Sequence, residues 1–443
     1  MATKKDAKNK LLQSDKRQSK LIRNFDVANT SRALAIEKAR QYIIDKYDFR
    51  YNLISNEIEI KSKDEKVYRK FDDWDFNTIM IDLDFKGVHL PDNKFKQLLE
   101  SVYVCTKYDP IKEWIFSIEK WDGKIDHIQN FFNQVYLTNE ENREYYLKGF
   151  KKWFVAYVMS FLRDEPEPFN VNQICLVLLS RKQGRYKSTW LGSLIPAHLR
   201  LKYYYPNSFN VHNKDHIKYL ATKMLINLDE MESYNKTEIG SMKSVITYAQ
   251  VSLRLPYGRL DINAKRRASF CGSINNRQFL RDESGSRRWF VIEVDGLNYD
   301  PNYDVSGMYA QAVELLREGF QYWFDGNEIT ELEKRNSEFT ELSMEEEELL
   351  RLFNKPEPGD ELNEISVLTT SQIANIIAKD NERMNINNSV KATLGRALAK
   401  HEFERVSVRL ESTKHPVWAW KVKPSLLGLM KMESSANGQK DLF

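Results

Sequence analysis

Two acids, Asp229 and Glu230, directly follow the apolar run Met224-Leu225-Ile226-Asn227-Leu228. Upstream, a second apolar run, Ile174–Leu179, feeds a polar turn that ends in Lys187-Ser188-Thr189. Residues of these types in this order suit phosphate chemistry. Successive backbone N–H groups can surround an anion, a lysine adds positive charge, and the hydroxyl after it can hold Mg2+. A carboxylate at the end of the second strand suits a Mg2+-bound water, and its neighbour suits the base that orients an attacking water. Gly184, Lys187, Ser188 and Thr189 are therefore the expected ATP-binding residues, Ser188 and Asp229 the expected Mg2+ ligands, and Glu230 the expected base. The loop Ser180-Arg-Lys-Gln-Gly184-Arg-Tyr186-Lys187-Ser188-Thr189 departs from G-x-x-x-x-G-K-[ST]: Arg181 and Tyr186 stand where glycines are expected. Tyr186 must avoid both the phosphate and positive-φ strain. Two outcomes stay open from these residues, an ATP-driven motor and a nucleotide-binding protein with weak or no hydrolysis.

Further along, Ala268-Ser-Phe-Cys271 reads as a third strand leading to Asn275, an amide placed to sense a γ-phosphate and position water. Arg287 and Arg288 precede the strand pattern Phe290–Val294, where they could reach the ATP of a neighbouring subunit. Between the acids and Asn275, the alternation Val251-x-Leu253-x-Leu255, the turn Pro256-Tyr257-Gly258-Arg259 and Leu260-x-Ile262 predict a β-hairpin. Its basic residues, Arg254, Arg259, Lys265, Arg266 and Arg267, are the expected contacts to a DNA strand held in a channel.

These groups need elements to hold them. The chain has 443 residues, 42% of them apolar, enough for packed cores in several domains. A net charge of +4 gives no strong overall field, so a polyanion must be met by local patches. Cys105, Cys175 and Cys271 are widely spaced in or beside apolar runs and read as core residues of a reduced, cytoplasmic protein. No apolar run approaches the ~20 residues that span a bilayer, which argues against a membrane partner. Residues 1–25 are rich in Lys and Arg and read as a flexible basic arm. A small α+β module is expected over 26–105, with a helix from Thr30 to about Lys46 and short strands at Ile54–Ile60 and Asn77–Leu83. A helical, aromatic-rich domain follows over 106–165, then the α/β domain of the phosphate residues over 166–327, then an acidic helical connector and linker over 328–364.

Residues 365–425 show a helix with Ile373, Ile376 and Ile377 on one face, a second with Val390, Leu394, Ala397 and Leu398 on one face, and two alternating strands. Helix, helix, hairpin is a winged-helix order. Thr393, Arg396 and Lys400 lie opposite the second apolar stripe, and Arg396 and Lys400 are the expected contacts to duplex DNA at an origin. A winged helix that binds only protein is the other reading. Residues 426–443 read as a flexible tail that ends in Gln439-Lys-Asp-Leu442-Phe443. It is similar to the short peptide by which bacterial replication proteins dock on the sliding clamp: Leu442 and Phe443 suit an apolar pocket and Gln439 its polar rim.

The run from about Tyr108 to Val294 resembles the virulence-associated protein E family, P-loop ATPases of phages, plasmids and integrated elements related to superfamily 3 helicases. The resemblance rests on Tyr108-Asp-Pro110, Trp121-Asp-Gly123, Gln183-Gly184 with Lys187-Ser188, Asp229-Glu230, Arg254-x-x-Tyr257-Gly258-Arg259, Arg267, Asn275, and Phe279-Leu-x-Asp282-x-x-Gly285-x-Arg287-Arg288-Trp289. It implies an α/β fold with an AAA+-like P-loop ATPase core, assembly into a hexameric ring, and a role as replicative helicase or initiator. By position it supports Lys187, Ser188, Asp229, Glu230, Asn275 and Arg287 or Arg288 as the ATP site. The family's usual glycine before the lysine is Tyr186 here. Some relatives carry a primase domain in front; residues 1–105 show no triad of metal-binding carboxylates, so a separate primase is the implied partner. A defence or regulatory ATPase on the same fold is a third reading, because fold does not fix function.

Overall fold

A computed structural model describes residues 31–165, 167–182, 186–229, 231–254, 261–280, 286–340, 342–380, 386–409 and 415–437. The arm at 1–25, Gly184, Glu230, Arg259, Gln439, Leu442 and Phe443 lie outside the described residues, as does the side chain of Arg254. The chain is mixed α/β and divides into two compact units, residues 1–277 with 284–336, and residues 278–283 with 337–443. Among the described residues, no helix is long and apolar enough to cross a membrane.

The first unit begins with helix α1 (Ser31–Lys46) and a sheet of β1 (Tyr47–Asn52), β2 (Glu57–Ser62), β3 (Arg69–Lys70) and β4 (Cys105–Tyr108), in the order β3-β2-β1-β4. Helices α2 (Asp73–Phe85) and α3 (Asp92–Leu99) come between β3 and β4. The segment Asn77–Leu83, expected as a strand, is the middle of α2. Asp72 and Asp75 form a capping box that starts the helix, and Ile79 and Leu83 then fall on its buried face at helical spacing.

Next come α4 (Pro110–Ser117), α5 (His127–Phe132), β5 (Val135–Leu137) and the long α6 (Arg143–Leu162). Their aromatic side chains do not pack a separate helical domain. Phe131, Phe132, Phe150, Trp153 and Phe154 are fully buried in one continuous core with Leu176, Leu178, Phe290 and Ile292 of the following sheet. Gly149 on α6 is part of that packing: a Cβ there would lie 2.2 Å from the Phe290 ring.

That sheet contains β6 (Cys175–Leu179), β7 (Tyr204–Tyr205), β8 (Leu225–Leu228), β11 (Ser269–Ile274) and β12 (Trp289–Leu297), and is completed at one edge by β5. Its order is β5-β12-β6-β11-β8-β7, with β5 antiparallel and the other described neighbours parallel. Strands β6, β8 and β11 are buried along their whole length, which is why they read as unbroken apolar runs rather than alternating ones. Helix α7 (Lys187–Ser193) follows β6; α8 (Ala197–Tyr203) and α9 (Lys214–Thr222) precede β7 and β8 respectively. Helix α10 (Lys236–Val245) leads into the expected antiparallel pair, β9 (Gln250–Arg254) and β10 (Asp261–Lys265), in register from Gln250↔Lys265 to Arg254↔Asp261. Helices α11 (Ser306–Arg317) and α12 (Gly326–Asn336) close the unit. The acidic connector expected as one piece is therefore shared, since α12 belongs to the first unit and α13 (Met344–Leu352) to the second.

In the second unit, α14 (Thr370–Asp380) and α15 (Asn388–Lys400) pack with α13 around Ile373, Ile377, Leu394 and Leu398. Strands β13 (Phe353–Asn354), β14 (Ser366–Leu368), β15 (Arg405–Val408) and β16 (Val417–Pro424) form its sheet, with β15 antiparallel to β16 as expected. Residues 426–437, expected as part of a flexible tail, instead form helix α16 (Leu426–Asn437), whose Leu427 and Met432 pack on the core of this unit, and it ends the described chain.

Candidate functional site

The parallel register brings four of the expected residues to one place. Ile274 at the end of β11 pairs with Leu179 at the end of β6, and Gly272 pairs with Leu228 at the end of β8. Lys187, Ser188, Asp229 and Asn275 therefore meet at the carboxyl edge of the sheet, the usual place for ligands in open α/β folds. Lys187 is only 9% exposed. Its ammonium donates to the Ile274 carbonyl at 2.9 Å, to the Ser180 carbonyl at 3.3 Å and to Asn275 Oδ1 at 2.6 Å. Burial pushes the Lys187 pKa down, while the carboxylates of Glu232 and Asp229 pull the other way.

In the first turn of α7, the Ser188 hydroxyl donates to Asp229 Oδ1 at 2.9 Å, and the Ser273 hydroxyl donates to the same oxygen. A hydroxyl and a carboxylate side by side are hard oxygen donors of the kind Mg2+ takes when phosphate oxygens and waters complete its shell. Among the described residues no cluster of three or more His, Cys, Asp or Glu side chains forms an all-protein cage. Thr189, on the same turn, is exposed.

Glu232 joins this cluster without having been singled out in the sequence. It lies in a short turn, Met231–Ser233, and its Oε1 accepts from the Asn275 backbone N–H and from Asn275 Nδ2, both at 3.2 Å. Gly272 makes room for that turn, since a Cβ there would lie 2.4 Å from Met231 Sδ and 3.0 Å from the Leu228 carbonyl. The signal in the sequence was the third acid of Asp-Glu-Met-Glu, which the strand pattern alone does not rank above the first pair.

Tyr186 caps α7 with φ +56°, in the left-handed region where its Cβ is disfavoured. Its ring is 61% exposed and stacks on Tyr299, with centroids 6.3 Å apart. The expected conflict between this residue and a glycine-favouring backbone is thus present.

Arg287 and Arg288 are not brought to this cluster. They precede β12, whose Trp289 pairs with Cys175 at the start of β6, so they flank the amino edge of the same sheet. There they line a cavity of about 320 Å3 with Phe169, Asn172, Tyr322 and Trp323. Arg287 is exposed, and burial lowers the pKa of Arg288.

Three residues expected to touch DNA are buried or paired within the protein. Arg266 is fully buried, and its guanidinium donates to the carbonyls of Tyr248, Ala268 and Asn172 at 2.6–2.8 Å. Burial pushes its pKa down to about 9. It ties the base of the β9–β10 hairpin to the core and cannot reach a phosphate. Lys265 is 7% exposed, and burial pushes its pKa down to about 7; its ammonium faces the interior. Lys400 pairs at 2.8 Å with the buried Glu346, which His401 also contacts. Arg396 is exposed and donates only to Thr393 on its own helix among the described contacts, and Arg267 is partly exposed.

A family model described as "Virulence-associated protein E-like domain" matches residues 115–341. No curated protein matches the chain. Among solved structures, the chain is similar to the apo structure of the NrS-1 C-terminal region, with 12% identity over 87% of this chain and 98% of that one and a TM-score of 0.45. An A-form apo structure of the same region gives 12% identity over 88% and 99%, with a TM-score of 0.44. The family match spans half of the chain and covers β6, β8, β11 and β12 together with the clustered residues. The chain belongs to the virulence-associated protein E-like family.

Proposed function

We propose that this protein is an ATP-dependent, DNA-handling ring of a phage, plasmid or integrated element, acting as helicase or initiator in its replication. The observation that carries the proposal is the convergence of Lys187, Ser188, Asp229 and Asn275 at the carboxyl edge of the parallel sheet. In this reading residues 166–327 are an AAA+-like P-loop core and residues 365–425 a winged helix, supported by the sheet order and by the α14, α15, β15–β16 succession. Lys187, Gly184 and Thr189 are the proposed phosphate-binding residues, and Ser188 and Asp229 the proposed Mg2+ ligands. ATP supplies the phosphoanhydride and Mg2+ the charge neutralisation that its cleavage requires. Glu230 orients the attacking water and Asn275 meets the terminal phosphate. Arg254, Arg259 and Arg267 are the proposed contacts to a strand in the channel, and Arg396 the proposed contact to duplex or partner.

Purified protein tests this directly. DNA-stimulated ATP turnover that disappears in Lys187→Ala and Glu230→Gln is the expected result, and an image of rings formed with an ATP analogue and DNA is the expected companion. Retained DNA binding with no turnover would instead favour a nucleotide-gated adaptor, the reading that Tyr186 and its positive φ support. A separate primase and the bacterial sliding clamp are the proposed partners. Deleting residues 439–443 should abolish co-elution with the clamp; unchanged co-elution removes that partner.

A further inference from the structure

We infer that Glu232 is a positioning residue of this site, which sets the orientation of Asn275 and through it the preference for a third phosphate. The inference rests on the nucleotide-site reading above. Asn275 is held from both ends: its Oδ1 accepts from Lys187 Nζ at 2.6 Å, and its Nδ2 donates to Glu232 Oε1 at 3.2 Å. An ammonium can only donate and a carboxylate can only accept. Turning the amide over would set its NH2 against the ammonium and its carbonyl against the carboxylate, so the two partners fix a single orientation. The Asn275 backbone N–H adds a second bond to the same Glu232 oxygen, which fixes the strand tip as well as the side chain.

Nδ2 carries two hydrogens, and among the described residues Glu232 accounts for one of them. The second is the donor that a terminal phosphate oxygen would meet, and its direction is set once Glu232 holds the first. Glu232 Oε2 is enclosed and has no hydrogen-bond partner among the described residues. A half-satisfied buried carboxylate is costly, and a role confined to holding the turn together would not call for one. The carboxylate also stands near Lys187. Two roles are therefore separable: geometry, transmitted through Asn275, which Glu232→Asp disturbs, and charge, which would disfavour the more highly charged triphosphate and which only Glu232→Gln removes.

The test uses the full chain titrated with ADP and with a β,γ-imido analogue of ATP. Glu232→Asp keeps the charge and withdraws it by a methylene; Glu232→Gln removes the charge and keeps an oxygen that can accept both Asn275 bonds. Positioning predicts that Glu232→Asp loses about tenfold of the preference for the analogue over ADP, with ADP affinity within about twofold, and that Glu232→Gln retains most of the preference. It also predicts that Glu232→Asp adds nothing in an Asn275→Ala background. The reverse ranking, an equal shift for both nucleotides, or additive effects in the double variant would overturn the role of Glu232 while leaving the site itself standing. Nucleotide affinity that does not fall in Lys187→Ala would overturn the nucleotide site, and this inference with it.

Discussion

Tyr186 places a bulky side chain at φ +56°, immediately before the lysine that anchors the site. Such a conformation costs an L-residue roughly 1–2 kcal/mol, and the stack on Tyr299 offsets part of it. Tyr186→Gly removes both the strain and the ring, so the variant should fold as well as its parent and turn over ATP several-fold faster, as measured by phosphate release. Arg266 calls for the opposite kind of test. Its removal leaves three buried carbonyls without donors, each of which costs about 1–3 kcal/mol. Arg266→Ala should therefore lose at least about 3 kcal/mol of stability in denaturant unfolding, whereas Arg267→Ala should unfold like the parent and bind DNA less well. A run of basic residues in a sequence carries no information on which of them face water, and that is why Arg266 and Lys265 read as DNA contacts. Glu232 was overlooked for a related reason: strand periodicity ends at Leu228, and nothing in the residues beyond it shows which acid turns back toward Asn275.

At the scale of elements, the strands that carry the site were legible because burial on both faces makes them continuous apolar runs, and β6, β8 and β11 fall where those runs are. Helix α2 was not, because Ile79, Met80, Ile81 and Leu83 also make a short apolar run; the capping box that decides the matter lies outside it. Strand β2 carries a network that can be tested by pH. Glu59 accepts hydrogen bonds from Arg50 and Asn52 on β1, from Tyr108 at the end of β4 and from Lys202 on α8. Burial opposes its ionisation, but the bonds from Tyr108, Asn52 and Lys202 outweigh that and lower its pKa from 4.5 to about 2. A carboxyl whose pKa is depressed on folding stabilises the fold fully above its unfolded value, and that contribution is lost as pH falls from about 4.5 through about 2. Glu59→Gln should lower the melting temperature by roughly 2–4 °C at pH 7. Melting curves followed by circular dichroism should show parent and variant converging as the pH is lowered through this window.

For the whole molecule, the decisive geometry is that one sheet carries the two sets of residues expected to act on nucleotide on opposite edges. Lys187, Ser188, Asp229 and Asn275 lie beyond the carboxyl ends of the parallel strands, and Arg287 and Arg288 lie before the amino end of β12. The five residues of β6 between these edges span about 17 Å, beyond the reach of an arginine side chain. If these arginines act on a nucleotide, it is one held by another copy, and a head-to-tail contact between copies closes into a ring when its rotation permits. Mixing two inactive variants tests this. Lys187→Ala cannot hold nucleotide but offers its arginines, while the double variant Arg287→Ala, Arg288→Ala holds nucleotide but offers none. Random mixing in equal amounts makes about a quarter of the interfaces complete, so turnover should return to about that fraction of the parent's rate, with each variant silent alone. A mixture that stays silent although the two variants co-assemble by size would mean that the arginines serve the cavity beside them and not a neighbour's phosphates.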